Sequence, residues 1–237
     1  MEVYVSDYVR IQVKNLLLIL LLAAACDTED RVPADTGKDY LPLTVGTYQV
    51  YAVDETQYNA ITGTVELHYQ LMTEVVDSFP ATDGNTTYVI YRSKRNTDAD
   101  PWAYFDTWSM RVTENEAVVA EENISYVKLI FPAGNGRTWN GNKFNTGEED
   151  DYDMTLVDQP YVVDDQTFDK TLRVDQEDNQ DFIVYQDKRS EMFARGVGLI
   201  YKETTQLKYC TDPNCLGRQQ VETGLIWKQS IRSYGRH

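Results

Sequence analysis

The chain has 237 residues, with 22 Lys and Arg against 38 Asp and Glu, and therefore a net charge of −16. A surface this negative repels phosphate backbones, which excludes nucleic-acid binding as a main function. The chain is 42% hydrophobic and 12% aromatic, enough for a folded core, whereas two His and three Cys leave little for metal or nucleophilic chemistry.

An apolar run near the N-terminus, Leu16 to Ala25, predicts a signal peptide. Its ten residues are too few to cross a bilayer, which needs about 20. Arg10 and Lys14 precede the run and supply the positive charge typical of a secretory signal. Three alanines then lead into Cys26, which resembles the bacterial lipobox, where a signal peptidase cuts before a cysteine that becomes acylated. The alternative is a plain secretory signal with an incidental cysteine.

The lipobox interpretation divides the chain into three parts. Residues 1–25 form the signal peptide, residues 26–39 an acylated cysteine and a flexible acidic tether, and residues 40–237 a single domain. The acidic cluster Asp27–Asp30 resembles the surface-export signal of Bacteroidota lipoproteins, although an Asp directly after the cysteine also resembles an inner-membrane retention signal. We favour the first, and expect a lipid-anchored protein of the outer membrane that faces outward at the cell surface.

The domain is predicted to be all-β, because apolar and polar residues alternate with period two from Tyr40 onward. About ten strands, mostly antiparallel and in sequential order, are expected to form a curved sheet, as a half-barrel or a sandwich. Three dipeptides typical of tight hairpin turns are Asp83-Gly84, Asn135-Gly136 and Asn140-Gly141. Further expectations concern single segments: a strand at Phe182–Tyr185, one short helix at Glu116–Glu122 and a long surface loop within residues 146–166.

The two remaining cysteines, Cys210 and Cys215, enclose the turn-forming tetrapeptide Thr-Asp-Pro-Asn. In an oxidising compartment this spacing predicts a disulfide at the tip of a hairpin. Zinc binding would need two further ligands, and only two histidines are available. The acidic run Glu148–Asp153 has consecutive carboxylates that point apart, so it favours a solvated loop over a calcium site. We expect no metal and no cofactor.

Four residues are candidate ligand contacts: Trp102, Trp108, Trp139 and Asn140. An indole ring beside Asn amides is the combination that binds sugars, but we favour packing in the core for at least two of the three tryptophans. The sequence contains no nucleophile elbow, zincin, P-loop or dinucleotide motif. We therefore expect no catalytic residues and no enzymatic activity.

Two further stretches resemble a group of Bacteroidota-type outer-membrane or surface lipoproteins of uncharacterised function. The opening YLPLTVGTYQVY (Tyr40–Tyr51) resembles their YFPLxVGxYWVY pattern, with Leu41 and Gln49 in place of aromatic residues, and ARGVGLIYKE (Ala194–Glu203) resembles their AxGVGLIxxE strand. These motifs are structural, so the resemblance implies location and shape but no reaction. The implied shape is the curved antiparallel sheet seen in periplasmic lipoprotein carriers.

Three functions remain open. The first is a non-enzymatic accessory or interaction module with an envelope protein partner. The second is a carrier of a lipid or another apolar ligand, and the third is a carbohydrate-binding surface protein. An apolar concave cavity would favour the carrier, whereas an exposed row of Trp and Tyr would favour glycan binding. The sequence leaves the oligomeric state open.

Overall fold

The structure, a computed structural model, describes residues 35–237, and Thr36–His237 form one compact unit. The predicted signal peptide and Cys26 lie outside the described residues. Within that range a 3-10 helix is followed by twelve strands: η1 Lys38–Tyr40, β1 Thr47–Asn59, β2 Gly63–Pro80, β3 Thr86–Arg95, β4 Ala103–Val112, β5 Glu116–Glu121, β6 Ile124–Ile130, β7 Arg137–Asn140, β8 Asp151–Val163, β9 Gln166–Asp181, β10 Tyr185–Ala194, β11 Gly198–Tyr209 and β12 Val221–Arg236. No helix in this range has the length and apolarity needed to cross a membrane.

All twelve strands belong to one antiparallel sheet, in the order β6-β5-β4-β3-β2-β1-β12-β11-β10-β9-β8-β7. Chain neighbours pair in space throughout, except that β1 pairs with β12 and that β6 and β7 lie at the two edges. The sheet curves until these edges meet: the Val127 amide donates to the Gly141 carbonyl at 2.9 Å, and Trp139 Nε1 donates to the Val127 carbonyl at 2.8 Å. The predicted all-β fold, a curved antiparallel sheet, is therefore confirmed as a nearly closed, barrel-like sheet.

Two apolar clusters fill the interior. The Trp139 cluster joins β5 and β6 to the other edge of the sheet, and consists of Tyr40, Ala117, Val118, Val127, Leu129, Phe131, Trp139, Tyr152, Met154, Leu172, Val174 and Phe193. The Ile200 cluster lies among the central strands, and consists of Tyr51, Val53, Leu71, Val163, Phe168, Met192, Ala194, Val197, Ile200 and Ile231. A core divided in this way leaves space between its two parts.

The expected helix at Glu116–Glu122 is wrong, because residues 116–121 form strand β5. Val118 and Val119 are both buried although they lie on opposite faces of the strand. β-branched residues that pack on two sides suit a pleated strand better than an isolated helical turn. Pairing with the neighbouring strands β4 and β6, rather than the local preference for helix, makes this segment a strand.

The expected surface loop within residues 146–166 is also wrong, since strand β8 occupies most of it. Tyr152 and Met154 point into the Trp139 cluster, and Asp153 between them is half-buried on the other face of the strand. Register shifts interrupt the pairing of β8 with β9 around Gln159, next to Pro160, which has no amide to donate. The run of acidic residues at Glu148–Asp153 is the reason that the sequence predicted a loop here.

Two turn assignments change as well. Phe182, Ile183 and Val184 form the exposed turn between β9 and β10 instead of a strand, because Tyr185 already pairs with Asp181. Asn135-Gly136 is a tight turn, but it connects β6 to β7 at opposite edges of the sheet and so makes no hairpin.

The chain before β1 packs on the domain from Thr36 onward. The Thr36 carbonyl accepts from the Ala133 amide at 3.0 Å, and Arg195 Nη1 lies 2.7 Å from Asp39 Oδ1. Tyr40 is fully buried and donates to Asp158 Oδ1 at 3.0 Å. The prediction placed the domain boundary at residue 40, and the structure includes residues 36–39 in the compact unit.

Candidate functional site: the interior cavity

The candidate site is a cavity of about 530 Å³ inside the curved sheet. Most of its apolar wall comes from side chains on strands β2 to β4 and β10 to β12, including Leu71, Ile90, Met110, Phe193, Leu199 and Leu225. Glu122, which is exposed, lines its edge and marks where it reaches the surface. At about 30 Å³ per water molecule in the liquid, this space is far larger than a site for one or two buried waters.

A buried group of charges occupies one part of the wall. Glu191 is 1% exposed, and its Oε1 lies 2.8 Å from Lys128 Nζ and 3.3 Å from Lys202 Nζ. Lys128 Nζ also lies 3.0 Å from Glu121 Oε1. Strands β5, β6, β10 and β11 thus bring two acids and two lysines together, where each charge has an opposite partner.

The protonation states follow from these contacts. Burial alone would raise the pKa of Glu191, but the ammonium groups of Lys128 and Lys202 outweigh it and lower the pKa to about 2. Burial likewise would lower the pKa of Lys128, and the carboxylates of Glu121 and Glu191 raise it well above its ordinary value. At neutral pH Glu191 and Lys128 are therefore charged, which makes Lys128 unsuitable as a general base.

A second cation on the wall, Arg189, is fully engaged by carboxylates. Its Nη1 and Nη2 atoms donate to the two oxygens of Asp150 at 2.9 and 3.0 Å, and its Nε donates to Asp187 Oδ1 at 2.7 Å. Burial opposes the charged form, but these hydrogen bonds raise the pKa of Arg189 above its ordinary value. This bidentate geometry leaves little of the guanidinium for a ligand.

Arg92, on β3, is held differently. Its guanidinium lies 3.8 Å from the centre of the Trp108 ring, and the hydrogen bond from its Nη1 to Asp106 Oδ2 is long, at 3.4 Å. That same oxygen accepts the Trp108 indole N–H at 2.7 Å. Burial lowers the pKa of Arg92, while Glu121 and Asp106 act against this. Arg92 is 6% exposed and retains donor capacity toward the cavity.

Four buried polar atoms on the wall form no hydrogen bond among the described residues: Arg92 Nε, Glu121 Oε1, Glu191 Oε2 and Trp227 Nε1. Glu121 Oε1 lies 3.0 Å from Lys128 Nζ, which leaves the other three. The Trp227 ring is fixed by an edge contact with Tyr69, with ring centres 6.1 Å apart. Unsatisfied buried polar atoms are rare in folded proteins and each costs about 1–3 kcal/mol. Their concentration at one cavity makes it the candidate binding site.

The three tryptophans that were predicted as candidate ligand contacts lie in three different environments. Trp139 is buried in the Trp139 cluster, whereas Trp108 is half-buried on the cavity wall. Trp102 is half-buried at a smaller surface pocket, 4.3 Å from the Arg95 guanidinium. A register shift between β3 and β4 at residues 104–106 changes the alternation of side chains, so Trp102 and Trp108 line different pockets.

Asn140 has a local role. Its Oδ1 accepts hydrogen bonds from the amides of Asn142 and Asp150 at 2.8 and 3.2 Å. The tight hairpin turn predicted at Asn140-Gly141 is wrong, because the pair begins a ten-residue connection, residues 141–150, between β7 and β8. A Cβ on the adjacent Gly141 would overlap the Tyr152 ring, so this glycine is required by the close approach of that ring. The Asn-Gly pair therefore shapes the edge of the sheet.

The predicted disulfide is confirmed: Cys210 and Cys215 are bonded, with Cα atoms 5.8 Å apart, in the connection between β11 and β12. Both cysteines are buried, while residues 211–214 between them are exposed. Asp212 lies near the two sulfurs, but bonded sulfurs offer no thiolate to a metal.

The cavity residues Arg92, Lys128, Glu191 and Trp227 were missed by sequence reasoning. Lys128 alternates with Val127 and Leu129 as a solvent-facing residue would. Nothing in a period-two pattern distinguishes a polar face that meets solvent from one that lines a cavity.

On the outer face of the sheet, the exposed side chains Tyr91 and Tyr104 lie side by side. They are 46% and 64% exposed, and their ring centres are 5.7 Å apart.

No family model and no curated protein match the chain. Among solved structures, the chain is similar to a Bacteroides fragilis protein that is regarded as exported and has a YmcC-like fold. The two are 8% identical and superimpose with a TM-score of 0.44, over 82% of this chain and 98% of that chain. A likeness this distant carries no argument about function, which depends on the residues of the cavity.

Proposed function

We propose that this protein is a lipid-anchored envelope protein that binds an amphipathic small molecule in its interior cavity without transforming it. The observation that carries the proposal is the cavity of about 530 Å³, with an apolar wall and a few buried, unpartnered polar atoms. Ligand sites in proteins typically have volumes of about 300–1,000 Å³ and this mixture of surfaces. Of the three functions open from the sequence, this supports the carrier of an apolar ligand.

The envelope location is supported by the sequence and by the disulfide. The run Leu16–Ala25 before Cys26 has the features of a lipoprotein signal. The Cys210–Cys215 bridge suits an oxidising compartment. Acyl chains contribute about 0.8 kcal/mol for each buried methylene, so a multiply acylated Cys26 would be held permanently. Cys26→Ser should shift the protein from the membrane fraction to the soluble fraction, and unchanged membrane association and processing would refute the anchor.

Ligand binding is tested by filling the cavity. Met110 lines the cavity, and Met72, also half-buried, lies at the outer surface pocket. We expect Met110→Trp to reduce binding of a dodecyl amphiphile at least tenfold, while Met72→Trp, the matched control, leaves it unchanged. Native mass spectrometry of the full chain carrying Cys26→Ser, purified without detergent, measures this. Equal binding by both variants, or no binding by the parent, would contradict the proposal.

A second candidate function, docking of an envelope protein partner, is favoured by one observation. The tips of three connections lie at the same end of the sheet, because β1, β9 and β11 all run toward it. They expose large apolar side chains there: Ile61 is 94% exposed, Ile183 54% and Leu216 52%. Exposed apolar groups in a chain of net charge −16 are typical of an interaction surface. Ile61→Asp together with Ile183→Asp should abolish crosslinking to such a partner, and unchanged crosslinking would refute docking at this end.

A further inference from the structure

We propose that the head group of the bound amphiphile is uncharged and carries hydroxyl groups, as in a glycerol or sugar head. This rests on the proposed function and names the chemistry of its ligand. Its first basis is the set of unpartnered atoms on the wall: Arg92 Nε and Trp227 Nε1 are donors, and Glu191 Oε2 is an acceptor. A hydroxyl group donates and accepts, so it satisfies both kinds of atom. A carboxylate only accepts and an ammonium only donates.

The second basis is the charge balance of the wall. Four basic and four acidic side chains line the cavity: Arg92, Lys128, Arg189, Lys202, Glu74, Glu121, Glu122 and Glu191. The basic groups already lie beside carboxylates. Lys128 and Lys202 share Glu191, Arg189 is bound by Asp150 and Asp187, and Arg92 contacts Asp106.

A charged head group in the buried part of the cavity would therefore lie among groups that are already paired, because the two lining acids outside these ion pairs, Glu74 and Glu122, are half-buried and exposed. Burial of an ion without a partner is far more costly than burial of a hydroxyl group that forms hydrogen bonds. An acidic head would lie near Glu191 and Glu121 as well as Arg92, and a basic head would lie near Lys128 and Lys202 as well as Glu191. An uncharged head avoids both conflicts.

The third basis is the placement of the three atoms. Arg92 is on β3, Glu191 on β10 and Trp227 on β12, all within six adjacent strands whose concave side forms the cavity. The two donors belong to groups with fixed orientations, because the Arg92 guanidinium stacks on Trp108 and the Trp227 indole meets Tyr69 edge-on. A head with several hydroxyl groups can therefore bond to atoms that lie on different strands.

The experiment compares three amphiphiles with the same chain: monododecanoylglycerol, dodecanoate and dodecylammonium. Isothermal titration into the full chain carrying Cys26→Ser measures each affinity. We expect the glycerol compound to bind at least about tenfold more tightly than either charged compound. We expect Trp227→Phe, which removes the indole N–H and keeps an aromatic ring, to weaken it about three- to tenfold.

Two controls separate head-group recognition from damage to the fold. Trp227→Phe removes a donor that has no partner in the free protein, so its unfolding midpoint should equal or exceed that of the parent. Trp102→Phe, at the other pocket, should leave the affinity unchanged. Equal binding of charged and uncharged heads, or an unchanged affinity in Trp227→Phe, would overturn the head-group assignment while the cavity function stands. If none of the three compounds binds, the proposed function itself fails.

Discussion

Strand β6 separates two unlike regions of the interior. Val127 and Leu129 point to one side, where both are buried in the Trp139 cluster, whose members are all apolar or aromatic. Lys128, between them, points to the other side, where it meets Glu191 and Glu121 at the cavity. Both regions are buried, but only the Trp139 cluster is filled by side chains, whereas the other region contains the cavity. The closed region holds the edges of the sheet together, and the open region leaves apolar walls and polar atoms for a ligand.

The largest expected effect lies in the closed region. Trp139→Ala should lower the free energy of unfolding by about 3–5 kcal/mol, because it removes a buried ring and its hydrogen bond to Val127. Chemical denaturation measures the loss. Trp102→Ala, the matched change outside the core, should cost below about 1 kcal/mol, since its cation–π contact with Arg95 lies at the surface. Similar losses of unfolding free energy for Trp139→Ala and Trp102→Ala would contradict the claim that Trp139 belongs to a packed core and Trp102 does not.

The next effect concerns the charges of the open region. Lys128→Met should destabilise the protein by about 3 kcal/mol, because it leaves Glu191 buried beside Lys202 alone. The double variant Lys128→Met, Glu191→Met should recover part of this loss, since the two most buried charges are then gone, while Glu121 and Lys202 lose these partners. Urea denaturation of the single and double variants measures the difference. A double variant less stable than the single one would mean that Glu191 is held by something other than these lysines.

The pH dependence of stability follows from the same group. The pKa of Glu191 in the folded protein is about 2, below the value of about 4.3 in an unfolded chain. Its contribution is therefore complete above about pH 4.3 and is lost as the pH falls toward 2. The stability difference between the parent and Glu191→Gln should shrink over that range. A difference that stays constant in denaturation curves from pH 5 to pH 2 would contradict the ionised state of Glu191.

The smallest expected effect is that of the disulfide. Because the bridge closes a loop with four residues between the cysteines, its removal should cost no more than about 2 kcal/mol. Cys210→Ser combined with Cys215→Ser, compared with the parent by thermal unfolding, checks this. Binding of a dodecyl amphiphile should be unchanged, because neither cysteine lines the cavity. A weaker affinity would show that the connection between β11 and β12 shapes the ligand site.

The sequence predicts the closed region better than the open one. Period two and the tight turns identify most strands, and the spacing of Cys210 and Cys215 identifies their bond. The prediction fails where distant strands decide the outcome, as at β5, which is a strand because the opposite edge of the sheet covers Val118. It also fails at Lys128, because curvature of the sheet turns a polar face into the wall of a cavity. Curvature is a property of all twelve strands together.

The central claim, that the open region holds an amphiphile, is tested most directly by locating one in solution. A spin-labelled fatty alcohol added to isotope-labelled protein broadens the NMR signals of nearby methyl groups. The account predicts broadening at the cavity residues Ile90, Met110 and Leu199, and sharp signals from the exposed tip residues Ile61 and Ile183. Broadening confined to Ile61 and Ile183, with the cavity signals unaffected, would contradict it.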